Sequence, residues 1–162
     1  MNNQTTLETK LKSLASEDAA SYLMETFPIE AENYSEAFKV MAHRSWKKND
    51  QLRLARFYLR KIPFANSKPY EVFASFMSVP NLISVVKEVI TNKANDSDLL
   101  IYYVAPVLKH SIKTEKDRNL VEKFIVELNS RPRVAIEMSG GQSQSVSSRP
   151  SFATMSANSL KR

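Results

Sequence analysis

Cysteine is absent, and glycine and histidine occur only twice each in 162 residues. Without cysteine there can be no disulfide, no thiolate metal site and no cysteine nucleophile. Both glycines, Gly140 and Gly141, lie near the C-terminal end, so residues 1–139 contain none. Neither a glycine-cradled phosphate loop nor a dinucleotide-binding turn can form there. His43 and His110 stand far apart, in neither an H-x-x-x-H nor an H-E-x-x-H pattern, and no Asp-rich calcium loop is present. No metal or cofactor is therefore expected. Each histidine reads as a surface or partly buried residue at a helix C-terminus, where the dipole favours a cation.

Other catalytic signatures are missing too. No serine sits in a G-x-S-x-G elbow or in a supported S-x-x-K arrangement,. Glu32 and Glu36 share a helical face, but Ala31, Asn33 and Ser35 around them make a wet surface rather than the apolar cleft that acid–base chemistry needs,. Long apolar runs are scarce as well. The longest, Leu99–Leu108, is broken by Pro106, whereas a membrane-crossing helix needs roughly 20 apolar residues. No apolar stretch follows a basic start, as a secretory leader would require. The expectation is a soluble, cytoplasmic, non-enzymatic protein with no membrane contact.

What the chain does have is charge sorted into blocks. Residues 1–40 carry three Lys against seven Asp/Glu; residues 41–70 carry eight Lys/Arg against the single acid Asp50. Residues 71–130 are nearly balanced, and residues 131–162 hold five basic residues against Glu137. The net +6 and the isoelectric point near 9.5 thus come from one basic segment and a basic tail.

Up to about residue 130 the pattern is helical, in seven or eight segments separated by short polar breaks. Leu7, Leu11 and Leu14 recur at helical spacing, and Ser16-Glu17-Asp18 can cap a second segment reaching Phe27,. Tyr34, Ala37, Phe38 and Met41 form a stripe on a helix expected from Glu30 to about Arg44. Asp50 is placed to cap a helix running to Ile62; Pro69 and Pro80 each suit a first helical turn,. Tyr70, Phe73, Phe76 and Met77 line one side of a short helix, which fits a core better than a base-stacking platform. The segment from Asp98 to about Ser111 is apolar nearly all round and should be buried on several sides, with Pro106 as a kink,. Tyr102 and Tyr103 are adjacent, so at most one can be readily exposed. Thr114 and Asp117 resemble a capping box before a last apolar face of Leu120, Val121, Phe124, Ile125 and Leu128,.

Gln51-Leu52, Asn81-Leu82 and Asn119-Leu120 align as starts of second helices, an irregular sign of helix pairs repeated along the chain,. The fold class is therefore all-α: antiparallel helix pairs stacked as a short solenoid or an irregular bundle. Residues 1–130 form the helical domain. Residues 131–162 form a flexible tail: eight of the 24 residues in 139–162 are serine, and Val146, Phe152, Met155 and Leu160 are too few to repay ordering,.

The strongest local signal lies in DQLRLARFYLRKI, residues 50–62. Leu52, Leu54, Ala55, Tyr58, Leu59 and Ile62 occupy one half of the helical wheel, and Arg53, Arg56 and Arg60 fall within about 60° of one another on the other,. Lys47, Lys48 and Lys61 extend the charge, and Phe57 lies beside the arginines. Guanidinium forks bind carboxylates and phosphates bidentately. These seven residues are the candidate partner-binding set. The alternative is a solvated face whose arginines pair with the acidic N-terminal helices. The functional expectation is a protein-interaction module of adaptor, inhibitor or immunity type that engages a partner with an acidic surface. The second reading is a binder of RNA or single-stranded DNA using residues 44–61 and the basic tail. Oligomeric state is left open.

Overall fold

A computed structural model of the chain describes residues 3–91 and 97–131, all within the compact unit that ends at Pro132. The tail expected over 131–162 lies outside the described residues beyond Arg131. Eight α-helices and two short 3-10 turns make up the described part, with no strand among them. They are α1 (Asn3–Ser13), α2 (Ser16–Thr26), α3 (Glu36–Met41), α4 (Lys48–Tyr58), α5 (Lys68–Phe76), α6 (Val79–Thr91), α7 (Ser97–His110) and α8 (Glu115–Asn129).

Their packing resolves the choice between bundle and solenoid. The odd-numbered helices touch in sequence, α1 on α3, α3 on α5 and α5 on α7, and the even-numbered ones do the same from α2 to α8. The chain therefore forms antiparallel pairs stacked in two layers, each pair burying an apolar face that no single pair could cover alone. The aligned leucines fall on α4, α6 and α8, one layer as expected, yet only Leu82 is buried while Leu52 and Leu120 are half-buried.

An aromatic cluster joins the layers in the first half. Phe38 meets Tyr34, Tyr58, Phe64 and Phe73 edge-on at centroid distances of 6.1, 5.5, 6.0 and 6.1 Å. Each such pair adds about 0.5–1.5 kcal/mol beyond area burial. Tyr70, Phe73 and Met77 are buried and Phe76 packs on Trp46, so this stripe is core. Farther along, Val86, Ile90, Val104, Leu108, Val121 and Leu128 continue the interior in aliphatic residues.

Several local expectations are revised by tertiary contacts. The helix foreseen over 30–44 is a 3-10 turn, Glu32–Ser35, followed by the six-residue α3. It closes where His43 N–H donates to the Val40 carbonyl and buried Trp46 Nε1 donates to the Met41 carbonyl at 2.8 Å. Neither Ser16 nor Asp50 caps its own helix; Ala15 and Lys47 hold those positions. Instead the Ser16 hydroxyl donates to Asp50 Oδ2 at 2.6 Å and accepts from Lys47 N–H at 3.0 Å, a buried link between the starts of α2 and α4. The Thr114 cap holds as expected, its Oγ1 accepting from Asp117 N–H at 3.0 Å. Pro69 and Pro80 sit in first turns, and α7 continues through Pro106.

Candidate functional site

The arginine stripe starts on α4, but the helix ends at Tyr58, earlier than expected, and tightens into a 3-10 turn over Leu59–Lys61. Tighter winding takes Arg60 off the α-helical stripe. Its guanidinium stacks on Phe57, 4.9 Å from the ring centroid, and its Nε donates to the Phe57 carbonyl at 3.1 Å. Arg53 donates to Asp50 Oδ1 at 3.2 Å and to the Ser21 hydroxyl on α2 at 3.0 Å. Arg56 makes a two-pronged pair with Glu88 on α6, at 2.9 and 3.1 Å. That contact holds the Glu88 carboxyl below its ordinary pKa and the guanidinium above its own.

Intramolecular engagement of the stripe is thus real, although the carboxylates reached by Arg53 and Arg56 are Asp50 and Glu88, not the acids of residues 1–40. The same theme runs along the whole even-numbered layer. Lys87 on α6 reaches Glu127 on α8 at 3.0 Å, and Arg131 Nη2 donates to the Ile90 carbonyl at 3.0 Å. Each junction from α2 to α8 carries a polar bridge. Lys47 and Lys48 lie exposed at the start of α4 and Lys61, stacked on Tyr34 at 4.9 Å, lies past its end. About 1.5 Å of rise per residue separates the two groups by some 15–20 Å. Of the seven candidate residues, Lys47, Lys48 and Arg53 line one concavity of about 460 Å³ together with Glu17, Asn49 and Asp50, and the other four do not line it.

Two neighbouring side chains, Arg44 of the basic segment and His43 before it, make contacts within the fold. Arg44 donates through Nη1 to the Leu11 and Leu14 carbonyls, closing the C-terminus of α1, and stacks on Trp46. His43 Nδ1 stands 3.1 Å from Glu8, whose carboxyl is held low first by Gln4 and then by His43. His110 sits elsewhere, exposed at the end of α7. Glu32 is exposed and Glu36 pairs with Lys39 at 2.9 Å, the solvated face anticipated for them. Among the described residues no group of three or more His, Asp or Glu could hold a metal. Burial pushes the Tyr70 hydroxyl up to about 12 and the Tyr58 hydroxyl higher still, and Tyr58 closes the end of α2 by donating toward the Leu23 and Phe27 carbonyls.

Another concavity lies in the odd-numbered layer. An open groove of about 1010 Å³ runs between α5 and α7, with Ala74, Pro106 and Val107 as apolar walls and Tyr102, Tyr103 and Glu71 along it. Tyr102 is 71% exposed, the most exposed large hydrophobic among the described residues. Its ring stands edge-on to half-buried Tyr103 at 4.9 Å. The expectation that α7 is covered on several sides fails on this face, because Tyr102 and Pro106 remain exposed. Adjacency of the two tyrosines allows at most one readily exposed ring, and that ring is Tyr102. Nothing marked α5 as the opposite wall, since Ser67, Glu71, Ala74 and Ser75 are unremarkable surface residues on a helical wheel.

No protein family, curated protein or solved structure matches the chain. No helix among the described residues is long and apolar enough to cross a membrane.

Proposed function

We propose that this protein is a non-enzymatic protein-interaction module of adaptor or inhibitor type, which engages a segment of another protein in the groove between α5 and α7. The observation that carries this reading is Tyr102, a large ring left 71% exposed on an apolar-walled groove, whereas the other aromatics among the described residues are buried or half-buried. Exposed aromatic anchors in concave sites are where binding energy concentrates in protein interfaces. Stacked helix pairs supply the rigid, extended wall such contacts need.

Nucleic-acid binding through residues 44–61 has less support. Arg53, Arg56 and Arg60 already engage groups within the fold, and the remaining lysines stand at opposite ends of α4. The test is capture on the immobilised full chain, with and without nuclease, in parallel with Tyr102→Ala. The reading expects one stoichiometric protein that survives nuclease and is lost from the variant. Recovery that depends on nucleic acid, or that ignores the variant, contradicts it.

A further inference from the structure

We infer that the segment received by the α5–α7 groove is acidic, an apolar side chain resting on Tyr102 and Pro106 while its carboxylates meet Lys68 and Lys109. This rests on the protein-binding reading above and adds the chemistry of the partner. Lys109 follows Tyr102 by seven residues and Lys68 precedes Ser75 by seven, so each falls within about 20° of a groove-lining position on its helix,. Neither lysine lines the groove itself; each lies about two turns along its own helix from a lining residue on the same face, one on each wall,. Both are exposed, and neither has an ion-pair partner among the described residues. The one carboxylate lining the groove, Glu71, already accepts a hydrogen bond from the Ser67 hydroxyl, across one turn of its own helix. The two lysines outnumber Glu71, and this net positive surround complements a partner carrying Asp or Glu beside its anchor,.

A nucleic-acid strand fits the same groove less well. Stable phosphate tracking draws on many cations, roughly 6–10 contacts in well-studied binders, whereas here two lysines flank a carboxylate.

The experiment selects a displayed library of random-sequence peptides on the immobilised full chain, with counter-selection on Tyr102→Ala. Surviving peptides should carry an aliphatic or aromatic anchor with an excess of Asp and Glu. Their affinity should fall about 5- to 10-fold in Lys68→Glu/Lys109→Glu, with the loss shrinking as salt rises. Survivors that lack an acidic excess, or that bind the doubly reversed variant unchanged, overturn the acidic partner while leaving a protein-binding groove in place. No peptide that distinguishes wild type from Tyr102→Ala overturns both. Selection of random single-stranded oligonucleotides at the same residues, with no peptide, also overturns both.

Discussion

The two layers treat their outer surfaces in opposite ways. Along the even-numbered helices, charges bridge every junction: Arg53 to Ser21, Arg56 to Glu88, Lys87 to Glu127. Between α5 and α7 the odd-numbered layer leaves an apolar-walled groove with an exposed tyrosine. A run of arginines is the more conspicuous sequence feature, yet its geometry is that of a clasp between stacked helices. The quieter pair Tyr102-Tyr103 leaves one ring exposed on the groove, the surface on which the proposed function rests. Positive charge in a sequence marks a binding face only where the fold leaves it unpartnered.

The sharpest way to break this contrast is to remove what both layers share. Phe38→Ala withdraws the hub of the aromatic cluster and should cost about 3–5 kcal/mol, read as a lowered urea midpoint. Next comes the buried link at the starts of α2 and α4. Asp50→Ala strands the Ser16 hydroxyl and one prong of Arg53, with an expected loss of about 2 kcal/mol by the same measurement.

Arg56→Gln tests the even layer alone. The Arg56–Glu88 pair is about half exposed on both sides, so the loss should stay within about 0.5 kcal/mol and vanish at high salt. Its pH dependence has a definite sign. Because pairing lowers the Glu88 pKa, the contribution is full above the ordinary carboxyl value of 4.5 and fades as pH falls through the lowered one,. Wild type and Arg56→Gln should therefore converge in acid, as thermal melts across pH would reveal. Smallest of all is Tyr102→Ala, whose stability should match wild type because the ring is already exposed. A large drop in melting temperature would place Tyr102 in the structural account instead.

Much of the architecture was legible in the chain. Of the stripe Tyr34, Ala37, Phe38 and Met41, the last three are buried where spacing put them and Tyr34 is half-buried on the 3-10 turn, and the Thr114 cap formed as local rules require. What escaped was decided by distant partners. Ser16 and Asp50 each look like the cap of their own helix, and no window shorter than the 34 residues between them reveals that they satisfy one another. Arg60 left its stripe because α4 tightens at Leu59, a change of winding invisible to a wheel drawn at a constant 100°,. The groove escaped because its walls come from α5 and α7, which meet only when the pairs stack.

Amide hydrogen exchange of the full chain, with and without a peptide selected on the groove, tests the division of labour most directly. The account predicts added protection in Lys68–Phe76 and Ser97–His110, with α4 unchanged. Protection centred on Lys48–Tyr58 and the turn after it would contradict the account and return the arginine stripe to the role of binding face.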